Sequence, residues 1–135
     1  KERNVFTVNL NFRNELLVEG DWLQVKDLRA KAKEFIANPA NLESLPEKTE
    51  TEVEFFGLYP VSKGVISLLN DRGSSYQAYL EVQNELQAAY NELRDELARV
   101  KFRKPYDECS DAEQKAIKTI YPQRISEAEP KNYKK

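Results

Sequence analysis

The first residues of the chain alternate between apolar and polar side chains. In residues 5–12 the apolar side chains stand at positions 6, 8, 10 and 12, and polar ones stand at 7, 9 and 11. This two-residue period predicts a half-buried strand. The polar residues 13–15 favour a turn, and residues 16–19, apolar up to Val18, predict a second strand, paired with the first as a hairpin and ended by Gly20 and Asp21.

A helical pattern begins at Val25. Its apolar positions are 25, 28, 32, 35 and 36, and lysines and arginines occupy the other side of the stripe. Because proline disfavours a helical conformation in the residue before it, the helix is expected to end at Asn38, next to Pro39.

Residues 39–64 differ in composition from the segments around them. Prolines stand at 39, 46 and 60, and glutamates stand at 43, 47, 50, 52 and 54. A structureless loop of this length is uncommon in a compact domain, and the apolar residues between 53 and 59 are too many to remain in water. We therefore predict an inserted region, exposed near 43–51 and followed by a short strand or a packed loop. The acidic run is interpreted as solvated surface, with a docking face for a basic partner as the alternative.

The clearest strand runs from Val65 to Leu69, directly after Gly64. It is β-branched at its start and apolar on both faces, which is typical of a strand inside a sheet. Residues 70–73 then predict a turn, and Ser74 with Gln77 three positions later matches a capping box.

A long helix is predicted from 75 to 100. The apolar residues that define it stand at 76, 79, 80, 86, 90, 93, 97 and 100, mostly at spacings of three and four, and Asp95 and Arg99 form a surface pair. A helix of that length is ~39 Å long, about the full diameter of a domain of this size, so its far end is expected to project.

The last part of the chain predicts two short elements. Ser110 and Glu113 match a second capping box, and the helix that it starts presents Ala116, Ile117 and Ile120 on one side. Pro122 ends this helix. Residues 123–127 are interpreted as a short edge strand, and residues 131–135 as a disordered tail.

Composition narrows the range of possible functions. The chain has 135 residues, a net charge of −2 and no histidine, which predicts one domain and removes the commonest general base and the commonest transition-metal ligand. No apolar run approaches the ~20 residues of a membrane-spanning helix. Because the chain starts at Lys1 and contains no methionine, we expect it to be a processed product or an excised fragment.

No motif in the chain assembles a catalytic, metal or cofactor site. Cys109 is the only cysteine, and without a histidine partner it is interpreted as a lone, semi-exposed structural thiol. Asp71 lacks the ligand spacing of a calcium loop and is assigned to a turn or cap, and Ser74 and Ser75 are assigned to capping. The tyrosines at 76, 79 and 90 are interpreted as core residues, with a base-stacking platform as the alternative. A sheet edge that accepts an added strand needs no special side chains and survives this elimination.

Taken together, several segments resemble the long ExbD proteins of Bacteroidetes, within the ExbD/TolR family. The segments are Arg3-Asn4-Val5-Phe6-Thr7-Val8, Leu17-Val18-Glu19-Gly20, Ala32-Lys33-Glu34-Phe35-Ile36-Ala37-Asn38-Pro39, Val65-Ile66-Ser67-Leu68-Leu69-Asn70-Asp71-Arg72-Gly73, Val82-Gln83-Asn84-Glu85-Leu86, Ala89-Tyr90-Asn91-Glu92-Leu93-Arg94 and Tyr121-Pro122-Gln123-Arg124-Ile125-Ser126-Glu127-Ala128-Glu129-Pro130. The resemblance runs across nearly the whole chain. The inserted region 39–64 and the extension after residue 100 are longer than in shorter members.

The resemblance implies a fold that agrees with the elements above. We expect an α+β fold, in which a small mixed β-sheet carries two main helices packed on one face, plus a short extra C-terminal helix. It also implies a periplasmic domain of a single-pass inner-membrane protein, carried behind a transmembrane helix and a linker. Family members sit in an ExbB-type motor and use the proton gradient to drive TonB. The membrane-embedded aspartate of the family lies in that helix, so Asp71 does not take its role.

We therefore expect a non-enzymatic module without cofactors, working as a homodimer that docks a segment of a TonB-like protein and joins an ExbB-like membrane protein through the missing helix. Neither nucleic acid nor a small-molecule substrate is expected. The expected contact residues are Val65, Ile66, Ser67, Leu68, Leu69, Asn70 and Asp71 of the clearest strand, and Arg124, Ile125 and Ser126 of the edge segment. The alternative is a TolR-like module that contacts peptidoglycan. A hydrolase or solute-binding protein is disfavoured by the missing histidine and nucleophile motif.

Overall fold

The structure, a computed structural model, describes residues 2–128. The strands are β1 (Val5–Leu10), β2 (Leu16–Val18), β3 (Asp21–Leu23), β4 (Lys48–Val53), β5 (Gly57–Ser62), β6 (Val65–Asn70) and β7 (Ile125–Ala128), and the helices are α1 (Leu28–Ala37), α2 (Tyr76–Phe102) and α3 (Asp111–Ile120). The predicted α+β class is confirmed. The predicted tail 131–135 lies outside the described residues.

Five strands form one mixed sheet, in the order β3-β2-β1-β6-β7. The β1–β2 and β2–β3 pairs are antiparallel hairpins, whereas β6 is parallel to both β1 and β7. The chain reaches β6 through α1 and the β4–β5 hairpin, and it reaches β7 through α2 and α3. The two ends of this sheet are therefore β3 and β7.

Helices α1 and α2 pack on one face of this sheet. Alternate residues of β1 and β6, among them Val8 and Ile66, are buried beneath the helices, as the two-residue period predicts. The helices contribute Leu28 from α1 and Leu86 and Tyr90 from α2 to the same core. This arrangement confirms a small mixed sheet with two main helices on one face.

An ion-pair cluster joins the outer sides of α1 and α2. Arg29 of α1 binds Glu85 with Nε to Oε1 at 2.9 Å and Glu92 with Nη1 to Oε2 at 2.5 Å. Lys33, one turn later, binds Glu92 at 3.1 Å and Glu96 at 2.6 Å. Hydrogen bonds from Arg29 and then from Lys33 lower the pKa of Glu92. The cluster therefore links the two helices along their shared outer side.

The inserted region folds as a hairpin on the other end of α2. Strands β4 and β5 pair in register from Lys48–Ser62 to Val53–Gly57. Val53 and Val61 pack against α3, next to Leu97 of α2. The strand begins earlier than expected, at Lys48, and Thr49 and Glu50 within it are exposed, whereas Pro46 before it is buried. The expectation of a projecting helix end was wrong, because the hairpin and α3 cover it.

Several boundaries differ from the expectation. Strand β1 ends at Leu10, which leaves Phe12 61 % exposed. The cap of α2 is Ser75, whose side chain accepts from the Ala78 N–H, whereas Ser74 bonds to the preceding turn. Strand β3 was not expected, because three residues are too few to show a period.

Two residues of the predicted α2 stripe lie outside the core. Tyr76 is 73 % exposed and Val100 is 76 % exposed, so the helix buries a narrower set of its apolar side chains than the spacing suggested. Tyr79 is half-buried, and only Tyr90 of the three tyrosines is a fully buried core residue.

Cys109 corrects another expectation. Its thiol is buried between α2 and α3, beside Ala98 and Ile117, and not semi-exposed. A short 3-10 turn at Tyr106–Glu108 brings it there, and burial raises the pKa of the thiol. The neighbouring Ser110–Glu113 capping box is confirmed, with both reciprocal bonds present. Cys109 is therefore a packed, protonated side chain.

Asn38 ends α1 in the left-handed conformation, at a φ of 41°. Its side chain is fully buried, and it donates to the Leu42 and Pro46 carbonyls and accepts from the Leu42 N–H at 2.8 Å. Replacing it with glycine keeps the backbone conformation and leaves the Leu42 N–H and the Pro46 carbonyl without this partner, whereas the Leu42 carbonyl still accepts from Leu45 and Arg3. We expect Asn38→Gly to lower the free energy of unfolding by about 2–4 kcal/mol, measured by urea denaturation.

The matched control is Asn41→Gly, because Asn41 also has a positive φ, of 54°, but is exposed. We expect this change to stay within about 0.5 kcal/mol of the unchanged chain. An Asn38→Gly variant as stable as the Asn41→Gly variant would contradict the role given to the side chain.

The ion-pair cluster predicts a dependence of stability on pH. Because the pKa of Glu92 is lowered in the folded chain, its contribution is present above the unfolded pKa and is lost as the pH falls through the folded pKa. We expect Glu92→Gln to destabilise the chain by about 0.5–1 kcal/mol near neutral pH, allowing for solvent screening, and by much less near about pH 3. Urea denaturation at both pH values measures the difference, and Glu43→Gln, at an exposed carboxylate outside the helices, is the control. An equal effect of Glu92→Gln at both pH values would refute the assignment.

Candidate partner-binding edge

The expected contact residues Val65 to Asn70 form β6, an interior strand. Each residue from Val65 to Asn70 pairs with β1, and Ile66 to Leu69 pair with β7 on the other side. The backbone of this strand is therefore not free to contact a partner, and the expectation of contact through it was wrong. Strand β6 is apolar on both faces because it lies inside the sheet, as its composition predicts.

The side chains of β6 divide between the two faces of the sheet. Ile66 and Leu68 are buried beneath the helices, whereas Val65, Ser67 and Leu69 are half-buried on the helix-free face. By the same alternation, Ser126 of β7 shares the helix-free face with its register partner Ser67. Of the expected residues in β6, only this alternate set is available for contact with a partner.

Asn70 and Asp71 build the turn between β6 and α2. The Asn70 side chain accepts a short hydrogen bond from the Ser74 hydroxyl. The Asp71 N–H donates to the Leu10 carbonyl at 2.9 Å, and its own carbonyl accepts from the Ser74 N–H at 3.1 Å. These bonds hold the strand end against β1, as expected of turn residues.

Strand β7 is the edge of the sheet, as the sequence predicts. The Ile66 N–H donates to the Arg124 carbonyl at 2.9 Å. Because the two groups of a trans peptide point in opposite directions, the Ile125 N–H points away from β6. Within residues 2–128 no strand pairs with that outer side. The backbone of Ile125 and Glu127 therefore faces an open edge, while Ser126 faces β6.

Side chains from α2 hold β7 in place. Tyr79 donates to the Glu127 carboxylate at 2.7 Å, and Gln83 donates to the same carboxylate. The backbone N–H of Arg124 donates to the Tyr90 hydroxyl at 3.3 Å. Burial raises the pKa of Tyr90, so the hydroxyl stays protonated. The edge is thus a fixed template whose backbone geometry is set before a partner arrives.

The exposed surface of β7 is polar and of mixed charge. Arg124, Ser126 and Glu127 are exposed, and Ile125 is half-buried against the core. The Arg124 guanidinium donates to the Ser62 carbonyl at 3.3 Å, which ties the edge to the end of β5. Such an edge can pair with the backbone of peptides of many different sequences. Its side chains discriminate only weakly between those peptides.

The titratable side chains at this edge serve to hold β7, as in the hydrogen bond from Tyr79 to Glu127. Among the described residues no group of three or more histidine, cysteine, aspartate and glutamate side chains is placed to hold a metal ion. Ser74 and Ser75 lie in the turn and the cap of α2, and each makes a structural hydrogen bond there. What the edge can do is form backbone hydrogen bonds with an extended segment.

The opposite edge, β3, is the feature that the sequence analysis missed. It pairs with β2 from Leu16–Leu23 to Val18–Asp21, and no described strand lies beyond it. Trp22, the only tryptophan of the chain, is 64 % exposed there. The available signal for this second edge in the sequence was a single tryptophan directly after Gly20 and Asp21.

None of the helices within residues 2–128 combines the length and the apolar character needed to span a bilayer. Comparison with models of protein families and with curated protein sequences finds no match to this chain.

Proposed function

We propose that this chain is a non-enzymatic partner-binding module, which takes up an extended segment of a TonB-like protein as an added strand beside β7. The observation that carries the proposal is the open outer edge of β7, held in place by Tyr79, Gln83 and Tyr90 of α2. The sequence around β7, like several other segments of the chain, resembles that of ExbD proteins. We name a TonB-like protein as the partner because of this resemblance.

The energetics of the edge favour this mode of binding. A strand added to an existing template forms backbone hydrogen bonds without first ordering the template, so only the incoming segment loses conformational entropy. Two N–H groups and two carbonyls, those of Ile125 and Glu127, face outward along the described part of β7. A contact of this size is weak, which suits a partner that must bind and release.

The remaining parts of the proposal come from the resemblance to the ExbD/TolR family. The chain would be the periplasmic part of a single-pass inner-membrane protein, would form a homodimer, and would meet an ExbB-like membrane protein through a transmembrane helix outside residues 1–135. The absence of histidine from the sequence fits a part that does no proton chemistry itself.

A peptide from the periplasmic linker of a TonB-like protein tests the proposal on the chain as it stands. We expect it to bind the ¹⁵N-labelled chain weakly, with amide shifts concentrated at Ile125, Ser126 and Glu127. Two further peptides carry N-methyl groups on alternate residues. One is methylated at the odd positions and the other at the even positions. Because an extended strand presents alternate N–H groups to each side, one set should abolish binding and the other should keep it.

Equal binding of both methylated peptides would exclude strand pairing, and absence of binding at millimolar concentration would count heavily against the whole proposal. A pull-down with purified peptidoglycan runs beside the titration. Peptidoglycan capture without peptide binding would replace the proposal with the TolR-like alternative.

A substitution on the chain tests the same edge from the other side. Ile125→Pro removes the outward N–H, which the sheet does not use, and Ile125→Ala removes a similar amount of side-chain packing but keeps that N–H. We expect the proline variant to bind the peptide about three- to tenfold more weakly than the alanine variant, by the loss of one backbone hydrogen bond. Circular dichroism confirms that both variants are folded. Equal affinities of the two variants would remove Ile125 from the binding edge.

A further inference from the structure

A cavity of about 570 Å³ opens at the other end of the sheet, next to β3. It lies between the β2–β3 hairpin and the first turns of α2. Its apolar wall comes from the core side of the sheet and from α2, and Trp22 borders it. The volume is within the range of about 300–1,000 Å³ that is usual for small-ligand pockets, and it is large enough for a long side chain of a partner together with its neighbours.

The charged residues that line this cavity are both acidic. Glu15 reaches it from the β1–β2 turn and Glu81 from α2, and no lysine or arginine lines it. Each carboxylate accepts a hydrogen bond from a neutral amide only, Glu15 from Asn11 at 2.9 Å and Glu81 from Gln77 at 3.2 Å. Among the described residues neither carboxylate forms a salt bridge.

The wall that carries Glu15 is held by its own hydrogen bonds. The Asn11 side-chain oxygen accepts from the Glu15 N–H at 2.9 Å, and the Asn14 side-chain oxygen accepts from the Ser75 N–H at 2.8 Å. The second bond ties the β1–β2 turn to the start of α2. The wall that carries Glu15 is therefore anchored to the start of α2.

We propose that this cavity is a second docking site, which takes the lysine or arginine side chain of an extended partner segment that also carries apolar residues. The basic group pairs with Glu15 and Glu81, its aliphatic stem lies on the apolar wall, and Trp22 at the rim is the residue type that attracts cations most strongly. The site is separate from the β7 edge, and the proposal does not depend on strand addition there.

The single tryptophan makes the test direct. The full chain is titrated with the probe acetyl-Leu-Lys-Leu-Lys-Leu-amide, and with the same peptide in which glutamate replaces lysine, while Trp22 fluorescence and ¹⁵N amide shifts are recorded. We expect a saturable change with the lysine peptide, shifts at residues 14–25 and 78–82, and no binding of the glutamate peptide.

A charge-matched pair of variants separates the cavity from general electrostatics. Glu15→Gln with Glu81→Gln should weaken binding of the lysine peptide about three- to tenfold, as expected for two partly solvated ion pairs. Glu43→Gln with Glu52→Gln changes the net charge by the same amount at exposed sites away from the cavity, and it should leave the affinity unchanged. Thermal unfolding shows whether each double variant keeps its fold.

Four outcomes would overturn the proposal. These are the absence of a saturable change at millimolar peptide, equal weakening by both double variants, shifts confined to residues 125–127, and a shift of Trp22 emission with protein concentration alone. The third outcome would assign the basic peptide to the β7 edge. The fourth would assign the cavity to a second copy of the chain.

Discussion

The parallel pairing of β1 with β6 is the interaction on which the rest of the structure depends. It joins strands some sixty residues apart in the chain, in register from Val5–Val65 to Leu10–Asn70. On one face, alternate side chains of both strands, among them Val8 and Ile66, meet Leu86 and Tyr90 of α2. Without this pair, neither helix has a surface on which to bury its apolar stripe.

The same pairing decides which edges remain open. Because β1 also pairs with β2, and β6 also pairs with β7, the centre of the sheet is saturated and its free backbone groups lie at the outermost strands. The two proposed docking sites follow from this arrangement. One is the outer side of β7, held by side chains of α2, and the other is the cavity beside β3, walled by the start of the same helix. Since α2 contacts both sites, it offers a physical connection between them.

Local patterns in the sequence were sufficient to predict the strands and helices that bury one regular face. The alternation around Val8, the apolar run at Ile66 and the spacing of Leu86 and Tyr90 each identified a core element, because burial of one face imposes a period. The Ser110 capping box was also readable, since its bonds are local. The α+β class and the helices on one face follow from these elements.

The errors lie where contacts between distant residues decide the outcome. Strand β3 is three residues long and exists because β2 pairs with it, and β4 carries exposed glutamates and threonines and is held by β5. Cys109 is buried between α2 and α3, and the residues next to it in the sequence do not indicate this burial. At the candidate site, the position of Ser126 on an edge strand was predictable from its polar surroundings. Val65 to Asn70 were expected to contact the partner although their apolar character on both faces indicated an interior strand.

The central claim is that β7 is firmly attached to the sheet on one side and open on the other. Amide hydrogen exchange of the full chain, followed by NMR, tests it residue by residue. The account predicts slow exchange at Ile66, Leu68 and Ser126, whose N–H groups lie inside the sheet, and exchange faster by about a hundredfold or more at Ile125 and Glu127. Exchange at Ile125 and Glu127 as slow as at Ser126 would mean that the edge is covered, and would contradict the account.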